Sequence, residues 1–162
     1  MTDLIPNSEH QRIDALEQRM LSAAPVVYLP LIHRFTPGLY IREIFMPAGT
    51  LLTSKIHRQE HPYVVLSGRV SVWIPGVGVQ TFTGGHVGIT KPGTRRVLYI
   101  HEDTRWITFH PSGETDLEKI EAELIEPREL EDGTRLADVY QQLLRAASPS
   151  ALEPQVDYGG AP

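Results

Sequence analysis

The chain has 162 residues, 41% of them hydrophobic, and a formal net charge of -5 at pH 7. This length and composition predict one globular domain with a core of its own and short additions at both ends. The acidic balance argues against nonspecific nucleic-acid binding, which needs a clustered excess of Lys and Arg. Because the chain has no cysteine, it has no disulfide, no thiolate metal ligand and no cysteine nucleophile. Any metal ion must therefore be held by nitrogen and oxygen atoms.

The sequence also argues against a membrane partner. No apolar run approaches 18 residues, and the first residues have neither a basic nor an apolar segment of the kind found in a signal peptide. We therefore expect neither a transmembrane segment nor export by a signal peptide.

The first 25 residues predict an amphipathic helix with an arm. Ile13, Leu16, Met20 and Leu21 recur at helical spacing, and Pro25 ends the pattern. From residue 26 to residue 111 the chain changes to short runs rich in Val, Ile, Thr, Tyr and Phe. Turn-forming pairs such as Pro-Gly and Gly-Gly separate these runs. This part predicts an antiparallel β-barrel or sandwich.

Helical spacing returns between residues 112 and 147. Leu117, Ile120, Leu124 and Ile125 share one face, with Thr115 and Asp116 available as caps. A second amphipathic stretch runs from residue 134 to residue 147. Residues 148–162 contain Pro, Gly and Ser with few apolar residues, and we expect an extended tail there.

The stretch from Gly49 to Gly68 and the stretch that begins at Gly85 contain the most informative pattern. The first ends in Tyr-Val-Val-Leu-Ser-Gly, and the second runs Gly-His-Val-Gly-Ile-Thr-Lys-Pro-Gly-Thr-Arg-Arg. Together they resemble the two motifs of the cupin superfamily. The resemblance implies a mainly β fold, a single cupin double-stranded β-helix (jelly-roll barrel) with an N-terminal helix and C-terminal helices.

The resemblance also implies where metal ligands are expected. Cupins that bind metal present two histidines, a glutamate and a third histidine to the barrel lumen. In this chain the corresponding positions hold Lys55, His57, His61 and Arg96. The expected metal site is thus partly replaced by cationic side chains.

Side-chain alternation supports this alignment. If residues 55–61 form a regular strand, then Lys55, His57, Gln59 and His61 project to one side, into the lumen. His57 and His61 are then candidate ligands for Zn, Ni, Mn or Fe, with a third ligand from elsewhere in the chain. Repulsion from the lysine and the arginine opposes a dication. We therefore expect no bound cofactor, with a divalent transition metal at His57 and His61 as the alternative.

Two other interpretations of these residues remain open. The histidines are satisfied polar groups of the core, or they form a metal-free pocket for a carboxylate or a sugar phosphate. In a pocket, tyrosines orient the ligand. The predicted pocket residues are Lys55, His57, His61, Tyr63, Arg96 and Tyr99, and no catalytic residue is assigned.

The segment from His101 to His110 holds two histidines and two carboxylates within ten residues. Glu102, Asp103 and Thr104 predict a hairpin turn between two strands. His101 and His110 are both candidates to reach the mouth of the barrel, with a simple strand end before Pro111 as the alternative for His110.

The phrases Ile56-His-Arg-Gln-Glu-His-Pro-Tyr, Lys91-Pro-Gly-Thr-Arg-Arg-Val and His101-Glu-Asp-Thr-Arg-Trp are similar to those of small cupins encoded in tailed-bacteriophage genomes. That resemblance implies a virus-encoded origin, and we expect a non-enzymatic building block of a virion, in the collar, the tail or the fibre. We also expect a homo-oligomer, dimeric or trimeric, with other virion proteins as partners, because an assembly gives the helical ends and the tail a neighbouring subunit to pack against. The location is then the virion and, during assembly, the host cytoplasm.

Two further functions remain as alternatives. One is a cytoplasmic cupin enzyme, an isomerase, lyase or oxygenase that acts on a sugar or a small carboxylate. The other is a carbohydrate-binding module on a virion, in which aromatic side chains stack on a sugar ring. The candidate aromatic residues are Tyr63, Trp73, Tyr99 and Trp106.

Overall fold

The computed structural model describes residues 5–23, 27–128, 155–157 and 159. They form two helices and eight strands. The elements in chain order are α1 (Ile5–Ala23), β1 (Leu31–Thr36), β2 (Leu39–Met46), β3 (Leu51–Thr53), β4 (His61–Ile74), β5 (Gly78–Thr83), β6 (His86–Thr90), β7 (Val97–Pro111), α2 (Leu117–Leu124) and β8 (Gln155–Val156). The predicted helix over residues 134–147 lies outside the described residues.

Two long strands, β4 and β7, organise the sheet. They pair with each other, and each pairs along its two halves with different partners: β4 with β6 and then β5, and β7 with β3 and then β2. Strands β1 and β8 continue the sheet beyond β2. Because the long strands take part in both halves, the chain folds into a mainly β jelly roll of the cupin type, as the sequence predicts.

The long strands bend where their register shifts. Shifts occur between Val65 and Val70 of β4, around Gly68. Gly68 has φ +98°, and a Cβ there would lie 2.4 Å from the carbonyl oxygen of Asp103. Only glycine allows this positive φ together with so close an approach to β7.

The predicted hairpin at residues 102–104 is wrong. Strand β7 is continuous from Val97 to Pro111, and Thr104 is fully buried and pairs with Met46. The polar residues stabilise the bend, since Thr104 Oγ1 donates to the carbonyl of Glu102 at 2.7 Å and Asp103 accepts from the amide of Ala48 at 2.9 Å.

The main core lies between the two halves of the sheet. Its buried apolar members are Met46, Tyr63, Val65, Val70, Val72, Phe82, Leu98, Ile100 and Trp106. A second cluster joins α2 to the barrel, because Ile120 and Leu124, four residues apart on one helix face, pack with Tyr40. Asp116 is the N-cap of α2, as predicted, and accepts from the amides of Glu118 and Lys119.

Helix α1 also folds back onto the barrel. Ile13 and Glu17 are buried, and the Glu17 carboxylate accepts from Thr53 Oγ1 at 2.8 Å. Arg95 Nη2 lies 2.8 Å from Asp14 and 2.9 Å from Glu17, off the N–H directions, so these contacts are ionic without being aligned hydrogen bonds. Neither described helix combines the length and the apolar character that crossing a membrane requires.

Candidate metal centre

Three histidines from different parts of the fold meet near the end of the barrel that α2 covers. His57 precedes β4, His61 begins β4, and His110 lies near the end of β7. One ring nitrogen from each lies within 4.8 Å of the other two. We call His57, His61 and His110 the histidine cluster.

The rings pack closely against one another. The His57 and His61 ring centroids are 4.4 Å apart, as are those of His61 and His110, and His57 stacks on His110 at 5.2 Å. His61 and His110 are buried, and His57 is partly buried. Three imidazoles that face one another in this way form a donor set suited to a divalent transition metal.

The backbone of His57 is fixed from two sides. It forms a bridge with Ile125 just after α2, and its carbonyl accepts from the amide of Gly93 at 2.9 Å. The amide of Arg58 also donates to the carbonyl of Leu124 at 2.9 Å. The end of α2 and the turn before β7 therefore determine where His57 lies.

The hydrogen bonds of the other two rings leave one nitrogen of each free. His61 Nδ1 lies 3.1 Å from the carbonyl oxygen of Gln59 and can only donate to it, which leaves Nε2 as a lone-pair donor. His110 Nε2 shares a 2.9 Å hydrogen bond with Thr108 Oγ1, and in the tautomer in which Nε2 donates, Nδ1 has a free lone pair. Such outer contacts orient histidine ligands in metal sites.

Burial keeps the cluster neutral. Desolvation, followed by the other two histidines, lowers the pKa of His57 to about 2. Desolvation and then His61 lower the pKa of His110 to about 3. The pKa of His61 is also lowered, mainly by desolvation, although its bond to the Gln59 carbonyl opposes the shift. All three imidazoles therefore carry free lone pairs at neutral pH.

A cavity of about 80 Å³ opens beside the cluster, beneath α2. We call it the α2 cavity. His57 and His110 line it together with Arg42 of β2. Opposite them the lining is apolar apart from Glu121 of α2, and its apolar members are Leu31, Leu117, Ile120, Leu124 and Ile125.

A neutral hydrogen-bonded pair also faces this cavity. Tyr40 Oη lies 2.6 Å from His33 Nδ1, and the Tyr40 ring stacks on His110 at 5.7 Å. Desolvation raises the pKa of Tyr40 to about 12 and, with the charge of Arg42, lowers the pKa of His33 to about 4. Because Tyr40 lines the cavity and contacts His33, the pair can hold a proton beside the cluster.

The predicted alternation through residues 55–61 is wrong, because this segment is not a regular strand. Lys55 and Gln59 are exposed, whereas His57 and His61 turn inward. Lys55 Nζ donates to Glu121 of α2 at 2.6 Å, and the two side chains are 46% and 49% exposed. Lys55 therefore lies at the edge of the α2 cavity with its charge paired.

Arg96 and Tyr63 lie on the core side of the cluster. The Arg96 guanidinium carbon is 4.9 Å from the centre of the Tyr63 ring, which stacks on Trp106 at 4.6 Å. Tyr63 is buried, and its hydroxyl shares a 3.1 Å hydrogen bond with His86. Desolvation lowers the pKa of the buried Arg96, whose Nε has no hydrogen-bond partner among the described residues.

Tyr99 does not join the other predicted pocket residues. It is 45% exposed and lies on β7 between the buried Leu98 and Ile100, so it points away from the lumen. His101 also faces outward, and its Nε2 lies 2.7 Å from Ser71 Oγ. Of the two histidines in that segment, His110 is the one that reaches the cluster.

Sequence reasoning missed His33, Tyr40 and Arg42. The sequence feature that could have identified them is the turn at Pro37 and Gly38, because strands that pair across it place His33 opposite Arg42. Tyr40 and Arg42 share a face by alternation, and Tyr40 pairs with His110 across β2 and β7.

No protein-family model and no curated protein sequence matches the chain. Among solved structures, a cupin-2 domain protein from Shewanella frigidimarina is 8% identical, with a TM-score of 0.43, and the match covers 60% of this chain and 92% of that one. The cupin domain of Schizosaccharomyces pombe Cnp3 is 18% identical, with a TM-score of 0.45 and coverage of 63% and 71%.

Ectoine synthase from P. lautus is 15% identical, with a TM-score of 0.45 and coverage of 56% and 66%. These similarities concern the fold, and nothing about the ligand or activity of this chain follows from them. The resemblance to phage-encoded cupins stays a prediction.

Proposed function

We propose that this chain is a metal-dependent enzyme with a cupin fold, in which His57, His61 and His110 hold a divalent transition metal next to the α2 cavity. The observation that carries this proposal is the convergence of three neutral imidazoles, with one nitrogen of each within 4.8 Å of the others, next to a cavity that His57 and His110 line. A bound divalent ion in such a site supplies Lewis-acid chemistry by polarising an oxygen atom of a substrate or of water.

The residues around the cluster would bind and orient a small substrate. Helix α2 excludes bulk water from one side of the cavity with Ile120 and Leu124. Tyr40 Oη, hydrogen-bonded to His33, is the group that can hold or pass a proton there. An isomerase, a lyase or an oxygenase is compatible with these parts.

Cobalt binding tests the proposal. Protein purified without an affinity tag and freed of metal is titrated with Co²⁺, and the absorption of the bound ion is followed. We expect one equivalent to bind, with at least tenfold weaker binding in His61→Ala and His110→Ala. His101→Ala is the matched control, since its histidine bonds to Ser71 outside the cluster. Less than about 0.1 equivalent bound to the wild-type protein contradicts the proposal.

A virion scaffold is the second candidate, and apolar side chains on the outer surface favour it. Val79 of β5 and Val87 and Ile89 of β6 are more than half exposed. Such side chains are suited to contacts between copies of the chain in a homo-oligomer. Light scattering of the purified protein measures the oligomeric state, and mass spectrometry of purified virions tests the location. A monomer that is absent from particles contradicts the scaffold.

A further inference from the structure

Arg42 places a positive charge in the α2 cavity. It lies on the inward face of β2, where it pairs with His33 on one side and with Thr108 on the other. Its side chain is partly buried and lines the cavity with His57 and His110. Among the described residues, no Asp or Glu lies within ion-pairing distance of its guanidinium.

Four other arginines of the described part of the chain are paired with carboxylates, whereas the buried Arg96 lies over the Tyr63 ring. Arg34 and Arg105 both contact the buried Glu43, and Arg95 and Arg128 both contact Asp14 and Glu17. Buried and half-buried guanidinium groups normally have such partners, because an unpaired charge loses its hydration without compensation. Arg42 differs from these four in facing a cavity, where a ligand can supply the missing anion.

The charges around Arg42 also favour an anionic ligand in the cavity. The charge of Arg42 contributes to lowering the pKa values of His33, His57 and His110. Lys55, at the cavity edge, is already paired with Glu121. A divalent ion at the cluster would add to the positive charge, and an anion between the ion and Arg42 would relieve that repulsion.

The apolar side chains across the cavity from Arg42 limit the chemistry and the size of the rest of the ligand. Ile120 and Leu124 of α2 are buried apolar residues that face the cavity and carry no hydrogen-bonding side-chain group. A volume of about 80 Å³ has space for roughly three water molecules, each of which takes about 30 Å³ in the liquid. The ligand that matches both walls has an anionic end and a short apolar body.

We propose that the α2 cavity binds a small organic carboxylate, with the carboxylate paired to Arg42 and the short apolar body against Ile120 and Leu124. This inference rests on the proposed function in that the bound molecule lies beside the metal centre as its substrate. An arginine fork matches a carboxylate in two parallel hydrogen bonds. Inorganic phosphate shares the charge but leaves the apolar wall without a contact.

Binding of propionate tests the proposal, with propionamide as a neutral probe of the same shape. Both are titrated into cobalt-loaded protein by calorimetry and by the absorption of the bound cobalt. We expect propionate to bind at least tenfold more tightly than propionamide and more tightly than phosphate. This comparison uses the wild-type protein and does not depend on the folding of a variant.

Variants of Arg42 then test whether its guanidinium group binds the carboxylate of propionate. Arg42→Gln is expected to weaken propionate binding at least tenfold, and Arg42→Lys by less, because the ammonium keeps the charge but loses the fork. The matched control is Arg69→Gln. The Arg69 side chain is 47% exposed, lies 3.9 Å from the Glu102 carboxylate and does not line the cavity, so this variant is expected to bind propionate as the wild type does.

Each outcome supports or overturns one part of the proposal. Equal binding of propionate and propionamide, or unchanged binding in Arg42→Gln, overturns the inference and leaves the metal site standing. Tighter binding of phosphate than of propionate overturns the carboxylate assignment. If cobalt fails to bind, the proposed function fails. Titration of the metal-free protein then decides the inference, with Arg42-dependent propionate binding in favour of it and the lack of such binding against it.

Discussion

The ammonium group of Lys55 lies 2.6 Å from the carboxylate of Glu121, which joins the segment before β4 to α2 at the edge of the α2 cavity. The pairing places a negative charge beside a lysine that would otherwise repel a cation at the histidine cluster. The sequence-based argument against a metal rested on Lys55 and Arg96 crowding the same lumen. Lys55 is paired with Glu121, Arg96 stacks on Tyr63, and His110 supplies a third imidazole.

Loss of this pairing is expected to weaken metal binding. Glu121→Gln leaves the Lys55 charge uncompensated near His57, so the affinity for Co²⁺ should fall about two- to fivefold, a small effect because the pair is half exposed. Glu60→Gln is the control, since Glu60 forms a pair of similar geometry with Lys91, at 2.7 Å. Equal loss of affinity in the two variants would show that the effect is not specific to the cavity.

The free energy of unfolding of the metal-free protein should decrease as the pH is lowered below about 6.5. The folded-state pKa values of His33, His57 and His110 are about 4, 2 and 3, all below the unfolded value of 6.5. The unfolded chain therefore binds more protons in this range, and stability is lost as pH falls from 6.5 toward the folded-state values. For the well-buried His33 and His110 the loss at pH 5 is roughly 1–2 kcal/mol each.

Urea unfolding at pH 7.5 and pH 5, with a chelator present, measures this loss. His33→Gln should reduce the difference between the two pH values, because one of the titrating groups is removed. The His101→Gln variant should keep it, since His101 lies outside the cluster and bonds to Ser71. Equal stability of the wild-type protein at both pH values would refute the buried, neutral state of the cluster.

The bend in β4 depends on Gly68. Gly68→Ala forces a Cβ to within 2.4 Å of the Asp103 carbonyl oxygen at a φ of +98°, so the free energy of unfolding should fall by about 3 kcal/mol or more. At Gly113 a Cβ meets no atom within 4 Å, and Gly113→Ala should change stability by less than about 0.5 kcal/mol. Similar stabilities of the two variants in urea unfolding would contradict this account of the bend.

Much of the fold follows from local patterns. Alternating apolar residues and Gly-containing turns predict the strands, and the face shared by Ile120 and Leu124 predicts α2 with its Asp116 cap. His57 and His61 follow from the motif spacing before Gly68. These features depend on residues close together in sequence, which is why one sequence suffices to find them.

The rest depends on contacts that no local pattern encodes. Strict alternation fails between Lys55 and His61 because that segment is irregular and is fixed by bonds to α2 and to Gly93. The polar run at residues 102–104 is typical of a turn, but pairing with β2 keeps β7 continuous. Arg42 reaches the cluster only through the pairing of β1, β2 and β7, a tertiary arrangement.

Anomalous diffraction from crystals of cobalt-loaded protein tests the three-histidine site most directly, because the signal locates the ion independently of any activity. The account predicts one strong peak among the rings of His57, His61 and His110, at about 2.1 Å from one nitrogen of each. A peak elsewhere on the chain, or no peak in protein shown to be folded and exposed to excess cobalt, would contradict it.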